Sequence, residues 1–506
     1  MHIIRLTITC FLITGTICTA KSEDQAQWGT AWNRNMVSSE IGLPDNFDPK
    51  SGTNIRWKVP LGTEAHSSPI VAEGQVYIGT NNANPRDPKH QGDRGILMCF
   101  NEASGQLMWQ LVVPKRDEDP YFDWPRSGIS SPATVEGDRL YVVTNRGEIV
   151  CLDTHGLSNG NDGPFKDEAR HMTPKKQSPL HLGELDADII WIFDLTKSAG
   201  IWSHDGAHSS ILIHGSNLYL NTATGVDNTH RKIQTPDAPS LVVLDKNTGE
   251  YLARENERNA TNIFHCTWSA PSLAVINETP TIFFAGGDGI LYGYDTIPHS
   301  YKPQTGPSSL NRVWRFDFDL SAPKENVHLY HQNRRTGPSN IYGMPVIKDH
   351  HMFVAGGGDL WWGKTKAWLK CIRISRDGNV AQEALNWSFP LERHVMSTPA
   401  VTDELVFIAD CGKNFYCLDA HNGLELWRHE AKGEFWASPY VADGKVHIGS
   451  RRGDFMIFNA DRHKQHLSTT DLVAPISATA TAANGRLYIA TMMDLYCLEL
   501  NSSIEP

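Results

Sequence analysis

The chain alternates short apolar runs with tight turns, and the alternation recurs as one unit. Copies read SSPIVAEGQVYIGT from Ser67, SSPATVEGDRLYVVT from Ser130, SSILIHGSNLYLNT from Ser209 and SAPSLAVINETPTIFFAG from Ser269. They continue as GMPVIKDHHMFVAG from Gly343, STPAVTDELVFIAD from Ser397, ASPYVADGKVHIGS from Ala437 and SATATAANGRLYIAT from Ser477. Each copy predicts a short inner strand, a turn built on Gly, Asp or Asn, and a second strand with β-branched or aromatic alternation. A third strand ends on Asp or a substitute, as in VVLDKNTGEYL from Val242 and CLDAHNGLELW from Cys417, and a fourth begins near the Trp. Four short antiparallel strands, repeated as closely as every 40 residues between Ala437 and Ser477, predict an all-β, eight-bladed β-propeller of four-stranded antiparallel blades. The blades are expected over 57–500, with insertions at 153–189 and 296–312, a packing segment at 21–56 and a tail at 501–506.

The turn pattern of Asp245 to Gly249 and Asp419 to Trp427 resembles the PQQ-like repeat of quinoprotein alcohol dehydrogenases. It is similar also to the propeller lipoprotein of the outer-membrane barrel assembly machinery. PRDPKHQGDRG (Pro85 to Gly95), DWPRSGISSP (Asp123 to Pro132), NDGPFKDE (Asn161 to Glu168) and GGDGILYGYD (Gly286 to Asp295) resemble secreted bacterial PQQ-like propeller proteins of unassigned role. The resemblance implies the fold and carries little function with it.

Ahead of the repeats, one basic residue in Met1 to Arg5, an uncharged run from Leu6 to Ile17 and Cys18-Thr19-Ala20 read as a secretory signal over residues 1–20. The run is shorter than the roughly 20 apolar residues that span a bilayer, and no later stretch reaches that length, so no transmembrane segment is expected. The expected setting is periplasmic or extracellular. The whole chain carries 46 basic against 57 acidic residues, a net charge of −11, which disfavours nucleic acid as a partner. Of the cysteines beyond the leader, Cys99, Cys151, Cys371, Cys417 and Cys497 share one strand position, which blade geometry holds too far apart for disulfides.

Loop length predicts where a site would form. The inner turns are short. Loops at 80–95, 222–240 and 356–366 between second and third strands, and at 113–128, 255–267 and 320–342 leading into inner strands, are long and open on one face. The residues just before the inner strands, His66, Ile129, His208, Trp268, Tyr342, Met396, Trp436 and Ile476, should ring a central funnel. His66, His208, Trp268, Tyr342 and Trp436 are its candidate contacts, with Trp124, Arg126, Asp227, Asp288 and Arg451 on the rim. His204, Asp205 and His208 in WSHDGAH, with His265 and Cys266 in IFHCTW, supply ligand types that suit zinc or copper.

A quinone cofactor has less support. No adjacent cysteine pair exists, and no acidic cluster stands out as a calcium cage, so PQQ with calcium is the weaker expectation. Hydrolase and nucleotide motifs are missing too: there is no GxSxG, HExxH or Walker loop. The expected function is a binding or scaffolding propeller for a protein, peptide or glycan partner. The alternatives are a PQQ-dependent oxidoreductase acting on an alcohol or sugar, and a metal-dependent enzyme on the His-rich rim.

Overall fold

The computed structural model describes residues 23–501 except 117–122, 205, 207, 228, 230, 333, 360–363, 380 and 381. The expected leader and Asp205 therefore lie outside the described residues.

Eight separate antiparallel sheets follow one another around an axis. Blade 1 is Ile70–Ala72, Gln75–Asn81, Arg94–Asn101 and Leu107–Pro114. Blades 2 to 8 begin on Thr134–Glu136, Leu212–His214, Ser272–Ile276, Val346–Lys348, Ala400–Val401, Tyr440–Ala442 and Thr481–Ala483. Second and third strands are buried almost throughout, as Gln75–Asn81 and Asn414–Asp419 show, because each sheet is covered on both faces by its neighbours. The five repeated cysteines sit there as small apolar residues, and none of the seven described cysteines forms a disulfide.

The ring closes by borrowing. Blade 8 has three strands of its own, and its outer strand is Ile55–Pro60, which pairs antiparallel with Asp494–Leu498. Trp57 on that strand carries the outer-strand signature of the other blades. Its indole N–H donates to Glu102 O of blade 1 at 2.9 Å. The same bond runs from Trp109 to Thr154 O at 2.8 Å, Trp191 to Lys246 O at 3.1 Å, Trp387 to Ala420 O at 3.0 Å and Trp427 to Asp461 O at 2.9 Å. These five outer strands thus hook onto the next blade's last turn, and a glycine of left-handed φ, such as Gly423 at +72° beneath Trp387, admits the ring.

Blades 3 and 4 depart from the four-strand expectation. Ser308–Ser309 adds in parallel to Tyr251–Arg254, and Gly378–Asn379 adds in parallel to Arg312–Asp317. In both cases the following blade's last connection covers the outer edge, which would otherwise present unpaired backbone groups.

Residues 23–40 cross the axis on the short-turn face and touch every blade. Val71 N donates to Gln25 O, Val135 N to Ala26 O, Leu273 N to Trp32 O, Ile347 N to Asn33 O and Val441 N to Met36 O. Trp32 Nε1 donates to Ile213 O, Asn35 Nδ2 to Val401 O, and Gly485 N to Glu40 Oε2. At the centre Arg34 is fully buried. Its Nε donates to Pro271 O at 3.0 Å and its Nη1 to Trp28 O at 3.1 Å and Ser210 Oγ at 2.9 Å. Burial lowers its pKa to about 9. The segment is a stopper.

Candidate functional site

A cavity of about 750 Å³ opens on the long-loop face along the axis. Its walls come from the position that precedes each inner strand. His66, His208, Trp268, Tyr342, Met396 and Trp436 line it, and Trp28 of the stopper contributes from below. Ile129 and Ile476, expected in the same ring, turn away into the blade interfaces and are buried. The reason lies on neighbouring strands: a Cβ at Gly79 would lie 2.2 Å from Ile129 O, and one at Gly449 would lie 2.3 Å from Ile476 Cγ2. Glycine leaves room there that a larger residue would fill.

The aromatic walls interlock. Trp268 and Tyr342 lie 4.8 Å apart at 34°, and His66 stacks on Trp436 at 6.0 Å and 28°. Arg451 also packs over Trp436, its guanidinium carbon 4.5 Å from the ring centroid, a cation–π distance. Arg451 Nη1 also donates to Ser477 Oγ at 2.6 Å, and burial lowers its pKa. His208 is buried and so poorly solvated that its pKa falls to about 3, which keeps the imidazole neutral. Tyr342 OH donates to Asp359 Oδ2 at 2.9 Å and lies 2.8 Å from His265 Nδ1. Burial, with the Asp359 charge second, pushes the Tyr342 phenol well up.

Three of the six long loops reach the cavity, through Trp124 and Ser127, His265, and Tyr342. The connections between second and third strands at 80–95, 222–240 and 356–366 supply no lining residue. Two of them brace those that do: Val226 O meets His204 Nδ1 at 2.8 Å, and Asp359 holds Tyr342. Trp124, 47% exposed, and Met493, 49% exposed, are the half-exposed apolar members of the lining.

Arg126, Asp227 and Asp288 do not line the cavity. Arg126 is exposed with φ +69°, and its backbone N–H donates to Asp93 Oδ2 at 2.7 Å. Asp227 Oδ1 accepts Thr229 Oγ1 at 2.8 Å and the backbone of Arg231 and Lys232, closing its own loop. Asp288 is buried in the Gly-rich turn, where it accepts the Tyr292 hydroxyl at 2.6 Å. Desolvation raises its pKa to about 6.

His204 and His265 meet edge to face at 4.5 Å on the cavity wall. His208 Nε2 lies 3.3 Å from Ser203 Oγ, and Cys266 is buried with its carbonyl accepting Asn340 Nδ2 at 2.5 Å. Among the described residues this set does not bring three ligand atoms within 4.8 Å; the trio that does is Asp153, Asp162 and Asp188, elsewhere in the molecule. The lining does not fit a quinone held with calcium either. Among the described residues, Glu64 is its only carboxylate, and none offers a side-chain amide. Reading the repeats missed Trp28, Met492 and Met493, which lie in the stopper and in the connection closing blade 8, away from the position before each inner strand.

Fold and cavity define a closed eight-bladed propeller with an aromatic cup on one face. Residues 93–158 and 376–501 match the family model described as "Outer membrane protein assembly factor BamB". A curated relative, outer membrane protein assembly factor BamB of Moranella endobia (strain PCIT), is 23% identical over 198 residues. The match takes in 37% of this chain and 46% of that protein, so the chain spans about half the length of the relative it matches. The crystal structure of BamB from Moraxella catarrhalis superposes with TM-score 0.51 at 14% identity, covering 88% of this chain and 98% of that one. A europium-containing methanol dehydrogenase gives 0.59 at 10% identity, covering 94% and 98%. At such identities the superpositions show the fold. With the repeat pattern, they make this chain an eight-bladed β-propeller, similar over part of its length to the matched family.

Proposed function

We propose that this protein is a binding propeller that seats part of a protein or peptide partner in its axial cup, on the far side of the membrane it is exported across. One observation carries the reading. Rigid strand ends aim His66, Trp268, Tyr342 and Trp436 at a common space, and two half-exposed apolar side chains, Trp124 and Met493, belong to its lining. Aromatic walls with a small polar complement suit a protruding side-chain cluster or chain terminus, because such rings offer large contact area at low entropy cost. The family match to an outer membrane assembly factor supports a protein partner.

The test places a photo-crosslinking amino acid at Trp124 or Met493 in the producing cell, with Leu424, exposed on a short turn of the opposite face, as control. A discrete protein adduct at the two lining positions and none at Leu424 is expected. The combined Trp268→Ala and Trp436→Ala replacement, introduced into the crosslinker-bearing chain, should remove it while the circular dichroism of the sheets persists. Adducts equally strong at Leu424, or undiminished in the folded double variant, would overturn the cup as the binding element.

A further inference from the structure

The connection between the third and outer strands of blade 2, from Glu148–Asp153 to Ile189–Asp194, is a long excursion on the short-turn side, away from the cup. Its two ends are tied together. Asp153 N donates to Asp188 O at 3.1 Å, and Asp162 N donates to Asp188 Oδ2 at 2.8 Å.

The tie gathers like charges. One oxygen each from Asp153, Asp162 and Asp188 lies within 4.8 Å of the others. Asp153 and Asp188 are 2% and 0% exposed, whereas Asp162 faces solvent. A fourth carboxylate, Glu168, begins the helical turn Glu168–His171 and is 2% exposed, its Oε2 taking Asn161 Nδ2 at 2.9 Å.

The protein's own cations answer this charge incompletely. Arg139 Nη1 reaches Asp153 Oδ2 at 3.0 Å, and the largely exposed His155 Nδ1 lies 3.1 Å from Asp153 Oδ1. Lys166 Nζ donates to Asn161 Oδ1 and, at 3.2 Å, to the Asp162 carbonyl. Two buried carboxylate oxygens, Asp188 Oδ1 and Glu168 Oε1, have no hydrogen-bond partner. Buried anionic oxygens left so are costly, and native structures meet them with a donor or a cation.

The chemistry of the set selects the cation. All its donors are carboxylate oxygens, which suit a hard ion and not zinc or copper. Oxygens around calcium, at 2.3–2.6 Å from the ion, can stand no more than about 5 Å apart, and the trio meets that limit. The solvent-facing side at Asp162 leaves room for the water that completes six to eight ligands.

We propose that Asp153, Asp162 and Asp188, with Glu168 behind them, bind a calcium ion that staples the blade 2 excursion at its base.

The full-length protein, stripped with EGTA and exchanged into chelator-free buffer, is titrated with CaCl2 by calorimetry and followed by thermal unfolding. One saturable site per chain with a Kd in the range of about 10⁻⁶ to 10⁻³ M is expected, with a midpoint that rises on adding calcium and falls back with EGTA. Asp162→Asn removes an exposed charge without opening the core and should weaken binding at least about tenfold, since ligand charge sets calcium affinity. Asp188→Asn should do the same, and if it does not fold, the Asp162→Asn measurement decides. Absence of heat and of any midpoint shift at millimolar CaCl2 overturns the proposal. So does wild-type affinity in folded Asp162→Asn, which would place the ion elsewhere.

Discussion

Burial sets the protonation state of single residues in this propeller, and the signs oppose one another. His447 is 0% exposed, and desolvation lowers its pKa from 6.5 to about 4. A depressed histidine contributes stability above its unfolded pKa and loses it as pH falls through the window from 6.5 to 4, since the folded state resists the proton that the unfolded state accepts. Asp123 runs the other way. Its pKa is raised from 3.8 to about 6, with desolvation outweighing Lys115, so its contribution is full below pH 3.8 and is lost as pH rises through 6. Asn in place of His447 preserves a donor where Nδ1 meets Tyr440 O and removes the titration. Urea denaturation at stepped pH should show an acid limb shallower by about 1.4 kcal/mol per pH unit than the wild type's. Gly423 gives a second single-residue prediction. With φ at +72° and an added Cβ 2.6 Å from the Trp387 ring, Gly423→Ala should cost about 2 kcal/mol, read from the denaturation midpoint.

Within an element, the repeated indole hook is the device that converts blade order into blade contact. Trp109→Phe keeps the ring in its slot but strands Thr154 O. A loss of about 1–2 kcal/mol and faster cleavage of the blade 1–2 junction in limited proteolysis are expected. The repetition behind this device was legible in the sequence, because a two-residue side-chain period in eight aligned copies states which strands are buried and where each inner strand begins. Position relative to the repeat also placed His66, His208, Trp268, Tyr342, Met396 and Trp436 around the axis. It could not foresee Ile129 or Ile476, whose direction is decided by glycines on neighbouring strands. Asp227 and Asp288 looked like rim charges because a carboxylate that closes its own loop and one that faces a ligand share the same local sequence. Trp28 belongs to an unrepeated segment with no register to read. Asp153, Asp162 and Asp188 are scattered in the sequence and meet only because the ends of the excursion pair.

Across the whole molecule, stability rests on one junction between distant parts of the chain. Ile55–Pro60 completes blade 8, so a chain beginning at Leu61 would lose that strand and bare the edge of Asp494–Leu498. Such a chain should self-associate, shifting to larger species in size-exclusion chromatography. The stopper adds a second dependence. Arg34→Ala removes bonds to the Pro271 and Trp28 carbonyls and to Ser210, and protease should then cut within 23–54 sooner than in the intact protein. With the short-turn end of the axis blocked by its own leading residues, the disc is a dead end and not a conduit. Whatever occupies it arrives and departs by a single route, so tenancy is exclusive, and a large partner settled over the rim would imprison any smaller molecule already inside.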